Sequence, residues 1–365
     1  MQRREARGLL AVACVLAGLL AGLLPTDARM QASVPSQDPT DPVEQFAQGK
    51  KYYGGEGVPQ DYVQAAQWFR KAAEQGFAPA QYGLGVMYAN GEGVPKDYSE
   101  ALQWYRKAAE QGDAPAQYGL GMLYVNGQGV LKDYSEAQKW FREAAEQGFA
   151  SAQYRLGRMY ATGQGVSEDH GEALQWYRKA TEQGDSHATL RLAVMYRNGQ
   201  GVSQDNAQAL KLYHQAAEQG LALAQLGLAE MYAHGMGLPQ DYGEALQWYR
   251  KAAAQGEVRA IFRLGSMYRI GQGVPQDYAE AVKWYRRAAE QGLALAQYNL
   301  GRMYVNGRGV PKDPVQAYRW YLLSAAGGNE NAAKQRERAE KKMTDEQIAR
   351  GQRSAREWLE KYRKQ

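Results

Sequence analysis

The chain has 365 residues and a formal net charge of +5, but the charge is uneven: residues 41–328 are neutral overall and residues 329–365 carry +4. Nucleic-acid binding usually needs a basic stripe on the folded body, so no nucleic-acid partner is expected. The aromatic residues are chiefly Tyr (26) and Trp (8), against 6 Phe. Aromatic rings with a polar tip suit half-buried positions between thin layers.

Residues 1–32 have the features of a secretory signal peptide. Three arginines within the first seven residues precede an uncharged run of 17 residues, 8–24, that is rich in Leu and Ala. Small residues follow it, with possible cleavage after Ala28 or Ala32. A run of this length is at the lower limit for crossing a bilayer, so an uncleaved N-terminal anchor is the alternative. The sequence therefore predicts an exported protein, periplasmic or secreted.

The segment after the signal peptide is predicted to be a disordered linker over 33–42, because it is short, polar and rich in proline. The single cysteine, Cys14, lies inside the apolar run, so the mature chain would need no disulfide. No later segment is apolar enough to cross a membrane, so no membrane span is expected after signal cleavage.

From residue 43 the sequence repeats itself every 36 residues. Each unit contains two glycines separated by one residue, an aspartate six residues after the first of them, and a closing glycine. The first glycine of each pair is Gly55, Gly91, Gly127, Gly163, Gly199, Gly235, Gly271 or Gly307. A fixed period of this length predicts a repeat architecture. Eight units are expected, over 43–76, 77–112, 113–148, 149–184, 185–220, 221–256, 257–292 and 293–328.

Each unit is predicted to form two helices. In the second unit, the first helix would cover 78–91, where apolar residues recur at helical spacing from Ala80 to Tyr88. The glycine pair would end it, since glycine accepts the left-handed turn that closes many helices. Read as phosphate-binding loops, the same pairs lack a preceding strand and a third glycine.

The second helix of the unit is predicted to start at Asp97. Aspartate is a preferred N-cap, and Glu100 stands at the spacing of a capping box. The expected apolar stripe runs through Ala101, Trp104 and Ala108, and Gly85 of the first helix would leave room for Trp104. One such hairpin cannot bury its stripe alone, whereas stacked copies can.

This pattern, A-x-x-x-LG-x-x-Y-x-x-G-x-GV-x-x-D-x-x-x-A-x-x-WY-x-KAAEQG, resembles the Sel1-like repeat, a relative of the tetratricopeptide repeat. The resemblance covers 43–328 and implies an all-α fold, a right-handed alpha-solenoid of eight stacked hairpins. It also implies a concave face that usually binds proteins. Exported bacterial members often serve as scaffolds, regulators or host-interaction factors. The end of the chain, 343–362, is similar to the terminal helix that often closes such arrays.

Two units depart from the pattern. In unit one, Glu44 and Gln48 replace stripe residues, which suits an N-terminal cap that faces water. In unit five, Leu212 replaces Trp and Asn206 replaces Tyr. Either the smaller side chains loosen or bend the stack there, or the change is drift in a tolerant middle repeat.

Recognition is predicted at three positions of the first helix that vary between units, those of Gly83, Val86 and Asn90, which share one helical face. Units two and three carry small or apolar residues there, and later units carry arginines. We predict a partner protein or peptide with acidic residues, because the guanidinium group pairs with carboxylates through two hydrogen bonds. The candidate residues are Asn90, Asn126, Arg155, Arg158, Arg191, Asn198, Glu230, His234, Arg263, Arg302 and Asn306. In the alternative, the arginines are solvated and pair with Glu230 and neighbouring acids.

No catalytic constellation is visible. Four histidines lie in different units without ligand spacing, so no metal, cofactor or catalytic residue is predicted, and the protein is not expected to be an enzyme. The recurring aspartates are helix caps. The function that the sequence favours is a non-catalytic scaffold or adaptor. The alternative is an envelope factor that contacts peptidoglycan or another glycan, either with or without hydrolysing it.

Residues 329–365 are predicted to form basic capping helices. Thr344 is expected to cap the last one, with Gln347 three residues on, and Trp358 and Leu359 supply its apolar face. The helices would form a lid over the last repeat; alternatively, they contact an anionic membrane or the cell wall. The charged ends of the second helices, KAAEQG, are expected to be solvated.

Overall fold

The computed structural model of the protein describes residues 39–363, which form 18 helices and no strand. The predicted signal peptide lies outside this part of the chain. The predicted linker ended at residue 42, whereas Pro42 is already the first residue of α1. The carbonyls of Pro39 and Thr40 accept hydrogen bonds from Gln45 and Gln75, which fixes this segment to unit one.

Eight helical hairpins account for the first 16 helices. The first helices of the units are α1 (Pro42–Gly54), α3 (Ala78–Asn90), α5 (Ala114–Asn126), α7 (Ala150–Thr162), α9 (Ser186–Asn198), α11 (Ala222–His234), α13 (Val258–Ile270) and α15 (Ala294–Asn306). The second helices are α2 (Tyr62–Glu74), α4 (Tyr98–Glu110), α6 (Tyr134–Glu146), α8 (His170–Glu182), α10 (Asn206–Glu218), α12 (Tyr242–Ala254), α14 (Tyr278–Glu290) and α16 (Pro314–Ala326). The chain ends in α17 (Glu330–Glu340) and α18 (Asp345–Arg363).

The hairpins stack in chain order. Each second helix packs against the first helix of its own unit and the first helix of the next. The core therefore extends along the stack, between neighbouring hairpins, rather than around one centre, which is the organisation of a solenoid. The predicted all-α alpha-solenoid is confirmed.

The predicted aspartate caps are present in all eight second helices, but the predicted capping box is wrong in its second half. The Asp97 carboxylate accepts hydrogen bonds from the amides of Ser99 and Glu100, at 2.8 and 3.2 Å. Its own amide donates to the Tyr88 carbonyl at 3.0 Å, and the equivalent bond occurs in every unit. The glutamate three residues on therefore has no free amide to accept from. A complete box occurs at α18, where Thr344 and Gln347 satisfy each other's amides.

This arrangement predicts that the two residues of the expected capping box in unit four, Asp169 and Glu172, contribute unequally to stability. Asp169→Ala should lower the free energy of unfolding by about 1 kcal/mol, because two amides of α8 lose their acceptor. Glu172→Ala should cost only about 0.3 kcal/mol, the size of a charge effect at a helix N-terminus. Urea denaturation of both variants checks this, and equal losses would show that Glu172 completes the box in solution.

The aromatic residue at the centre of each hairpin is Tyr105 or its equivalent, not Trp104 as predicted. A Cβ added to Gly85 would lie 2.6 Å from the Tyr105 ring, so the glycine makes room for this tyrosine. Tyr105 is 3% exposed, whereas Trp104 is half-buried and packs toward the preceding unit. Lys107 covers the Trp104 ring, with its Nζ 4.0 Å from the centroid. The KAAEQG ends are therefore not simply solvated.

Two ladders of polar contacts join neighbouring units. Buried glutamines of the first helices donate to a carbonyl of the preceding second helix and accept from a glutamine of their own unit, as Gln81 does with Ala73 and Gln111. The second ladder joins a second-helix arginine to the tyrosine hydroxyl of the next first helix. Its arginine members are Arg70–Tyr88, Arg106–Tyr124, Arg142–Tyr160, Arg178–Tyr196, Arg250–Tyr268 and Arg286–Tyr304.

Unit five does not interrupt the stack. Leu212 is buried, and one continuous apolar cluster runs from Ala173 to Ala355 through this unit. His214 replaces the ladder arginine, with Nε2 3.2 Å from the Tyr232 hydroxyl. At the start of the array, Glu44 is exposed and Gln48 is half-buried, as expected of a unit that has no neighbour on that side.

The last two helices close the C-terminal end. Both α17 and α18 pack on α16, and Trp358 and Leu359 join the main apolar cluster. The Tyr318 hydroxyl donates to Glu340, and the Tyr362 hydroxyl donates to the Gln291 carbonyl. The tail is thus a lid on unit eight, although its arginines at 350, 353 and 356 stay exposed.

Candidate functional site

The three variable positions of the first helices form one continuous surface, which we name the first-helix face. Not all of its residues are free to vary. A Cβ on Gly83, Gly119 or Gly227 would lie 3.3, 3.2 or 2.3 Å from the aromatic ring of the preceding unit. The glycines at the first variable position of units two, three and six therefore pack closely against these rings, so packing explains their small size.

The structure places the eleven candidate residues on this face, in two groups. The asparagines of the third position, with His234, are exposed at the helix ends: Asn90, Asn126, Asn198 and Asn306. The charged residues lie closer to the helix centres. Arg191 and Arg302 are exposed, while Arg155, Arg158, Arg263 and Glu230 are half-buried.

Units four and five form a basic patch around one tyrosine. Burial raises the pKa of the Tyr177 hydroxyl above its usual value, and the charges of Arg191 and Arg158 oppose that shift. The tyrosine therefore stays neutral at physiological pH. Among residues 39–363, no carboxylate lies within ion-pair distance of Arg158 or Arg191. The patch has positive charge that the described part of the chain does not neutralise.

The alternative interpretation, that the arginines pair with Glu230, holds for two residues. One Glu230 carboxylate oxygen lies 3.9 Å from Arg197 and the other 3.6 Å from Arg263. Glu230 is 26% exposed, and it links units five, six and seven. It is the only acid at the variable positions, so it offsets a small part of the charge on this face.

An open cleft of about 290 Å³ lies on the same face between units six and eight. Its apolar lining comes from Tyr249, Phe262, Met267 and Ile270, and its rim includes His234, Arg263 and Asn299. The cleft adjoins a smaller recess lined by Arg269, Arg302, Asn306 and Arg308, with Asn299 and Arg269 common to both.

Sequence reasoning found part of this region. The varying positions located His234, Arg263, Arg302 and Asn306, but Arg308 was missed. Arg308 stands between the two glycines of its unit, a position that was interpreted only as a turn. Six of the other seven units carry Gln or Glu at this position and the seventh carries Met236, so the arginine of unit eight was the available signal.

The rest of the described chain offers no other chemical centre. Between residues 39 and 363, no cluster of three His, Cys, Asp or Glu side chains could hold a metal ion. Two histidines approach single carboxylates, His170 near Glu168 and His214 near Glu218. A search of the same residues for a helix long and apolar enough to cross a bilayer found none.

The stacked hairpins and the variable face of their first helices define a helical-repeat solenoid protein. The Sel1 repeat family matches eight segments of the chain, and the chain belongs to this family. The matched segments are 47–77, 78–113, 114–149, 150–185, 186–221, 222–257, 258–293 and 294–329, most of them starting one residue after the units defined above. Repeat solenoids of this type commonly act as scaffolds for protein interaction and generally without catalysis.

Solved structures show the same architecture. A protective antigen of uropathogenic Escherichia coli strains, which displays an SLR fold, is 35% identical, with a TM-score of 0.53 and coverage of 88% of this chain and 84% of its own. A Sel1 repeat protein from Oxalobacter formigenes is 38% identical, with a TM-score of 0.61 and coverage of 67% of this chain and 96% of its own. A comparison with curated proteins found no match.

Proposed function

We propose that the protein is a non-catalytic adaptor that binds an acidic segment of a partner protein along its first-helix face. The observation that carries this proposal is the charge of the face in units four to eight. Arg158 and Arg191 have no carboxylate partner among the described residues, and Arg302 stacks over Tyr298 with its guanidinium 5.7 Å from the ring centroid. Arginine held in this way is pre-oriented for carboxylates.

The fold supports an extended binding mode. The variable positions recur once per unit, so a partner segment that lies along the stack would meet a similar set of side chains at regular intervals. Electrostatic complementarity of this kind contributes to specificity and to the association rate. The asparagines at the helix ends could then hydrogen-bond the backbone of the bound segment, since their amides both donate and accept.

We further propose that the adaptor works outside the cytoplasm of a bacterium. This proposal rests on the signal-peptide features of residues 1–32 and on the similarity to the antigen of uropathogenic strains. Alkaline phosphatase fused after residue 42 tests export in a bacterial host: activity outside the cytoplasm is expected, and loss of export on changing the three N-terminal arginines to glutamate would identify the signal.

The binding proposal is tested by removing three arginines from the face. The variant Arg155→Ala, Arg158→Ala, Arg191→Ala should weaken partner binding by about 2 kcal/mol, roughly 30-fold, if these residues are central anchors. Crosslinking pull-down from the bacterial envelope identifies the partner, and titration of that partner measures the change.

A matched control removes three arginines elsewhere. The variant Arg350→Ala, Arg353→Ala, Arg356→Ala changes the net charge equally on α18 and should leave affinity within about twofold, since surface charges away from a contact contribute little. If the α18 variant loses binding and the first-helix variant does not, the tail is the binding element. Recovery of cell-wall fragments alone would favour the glycan-contacting alternative.

A further inference from the structure

Unit seven differs from the other units at the second and third variable positions, and its residues at all three positions line one cleft. They are Arg263, Ser266 and Ile270. At the third position the other seven units carry asparagine, threonine, histidine or glycine, so Ile270 is the only apolar side chain there. It is 47% exposed, which is unusual for an isoleucine in this protein.

Ser266 creates the space. Units two to eight otherwise carry valine, methionine, arginine or glutamate at this second position. The Ser266 hydroxyl forms hydrogen bonds with the Phe262 carbonyl at 3.2 Å and the Tyr285 hydroxyl at 3.1 Å. The volume that a longer side chain would fill stays open, and its floor consists of the Phe262, Met267 and Tyr249 side chains.

One end of the cleft is basic. Arg269 is fixed there, because its Nε donates to the Tyr285 hydroxyl at 3.1 Å. Arg302 and Arg308 lie in the adjoining recess, stacked over Tyr298 and Tyr278. At the other end, Arg263 is already paired with Glu230 at 3.6 Å. The uncompensated charge therefore lies toward unit eight.

We propose that this cleft holds one large apolar side chain of the acidic partner segment, and that carboxylates next to that side chain bind Arg269, Arg302 and Arg308. The apolar floor excludes a purely acidic occupant, and the volume is below that of pockets for drug-sized ligands but sufficient for a single side chain. A buried aromatic or aliphatic anchor with charges at its rim is the usual form of an interface hot spot. This inference rests on the function proposed above, and it fixes the position of the partner segment along the stack.

The direct test uses three fluorescein-labelled peptides of equal length and the full-length chain. The first carries a central tryptophan followed by four carboxylates, the second has alanine in place of tryptophan, and the third has amides in place of the carboxylates. Fluorescence polarisation should show that the tryptophan peptide binds about tenfold more tightly than the alanine peptide, and that the amide peptide binds weakest.

Filling the cleft should remove the contribution of tryptophan. Ser266→Met introduces the residue that unit three carries at this position, Met122, and should make the tryptophan and alanine peptides bind equally. Ser266→Ala keeps the space and should keep the tenfold difference. Val194→Met makes the matched change in unit five, outside the cleft, and should also keep it.

The outcomes separate the two proposals. If neither acidic peptide binds better than the amide peptide, the proposed acidic partner is wrong, and this inference falls with it. If the acidic peptides bind but tryptophan adds nothing, or Ser266→Met preserves its contribution, only the anchor cleft is wrong. A second test uses the protein without substitutions and a peptide that carries a photocrosslinking residue in place of tryptophan. Adducts are expected at Met267 or Ile270, and adducts elsewhere would overturn the inference.

Discussion

Replacing Gly129 by alanine is expected to lower the free energy of unfolding by about 3 kcal/mol or more. Gly129 is the second glycine of its pair, with φ of +69°, and a Cβ there would lie 2.4 Å from the Tyr98 carbonyl oxygen of unit two. A left-handed residue with a side chain costs about 1–2 kcal/mol by itself. The contact adds to this, because the nearest atoms belong to backbone and cannot rotate away.

Unit one offers the control for this prediction. Gly57 is the equivalent glycine, with φ of +74°, but no atom lies within 4 Å of a Cβ built on it, because no unit precedes it. Gly57→Ala should therefore cost only the conformational part, about 1 kcal/mol. Urea denaturation of the two variants beside the parent protein measures the difference. Equal losses would mean that the close approach of the loop to the preceding unit does not matter.

The two glycines of each pair have different roles. The sequence interpretation assigned both glycines to helix termination, and the structure assigns this role to the first of them, such as Gly91, the left-handed C-cap of α3. The second glycine lies where two units make contact. It packs against the start of the second helix of the preceding unit. The spacing between glycine pairs must therefore match the length of a hairpin, which fits the invariant period of 36 residues.

Much of the fold could be predicted because its signals are local. Helix ends depend on aspartate and glycine within a few residues, and these caps were placed correctly. The choice between Trp104 and Tyr105 as the central ring could not be made locally, since both fall within the buried arc of the same helix. Gly85 of the other helix decides it, through a contact that only the packed structure reveals.

The candidate site was predicted less completely for a related reason. Variation between units identifies residues that packing leaves free, and it located the arginines of the first-helix face. A cleft depends instead on space that several units leave unfilled, here around Ser266, with Asn299 and Arg308 contributed by the next unit. Variation alone also does not explain Gly227, which is small because of the ring beside it.

That ring leads to the second large effect: Gly227→Val should lower the free energy of unfolding by about 3 kcal/mol through overpacking. A Cβ on Gly227 would lie 2.3 Å from the Tyr213 ring, whereas the equivalent distance at Gly83 is 3.3 Å from Phe69. Gly83→Val is the matched control and should cost about 1 kcal/mol, since the smaller overlap needs only a slight movement of Phe69.

The tight contact between Gly227 and the Tyr213 ring is explained by the residue on the other side of that ring. Most units have glycine in their own first helix against the central ring, as Gly85 has against Tyr105, but unit five has Ala193. The extra methyl group takes the space that glycine leaves elsewhere, so the Tyr213 ring lies nearer the next unit. Unit six carries Ala229 at the equivalent position, and unit seven carries Arg263 where unit six has Gly227. The ring between them, Tyr249, borders the open cleft.

This explanation predicts rescue. Ala193→Gly alone should cost about 1 kcal/mol, because glycine weakens a helix. Combined with Gly227→Val it should return at least 1 kcal/mol of the loss, since Tyr213 regains room to withdraw, and residues in contact commonly show coupling of this size. Urea denaturation of the parent, both single variants and the double variant completes the cycle. Additive losses would mean that Ala193 does not position the ring, and that the glycine in unit six has another cause.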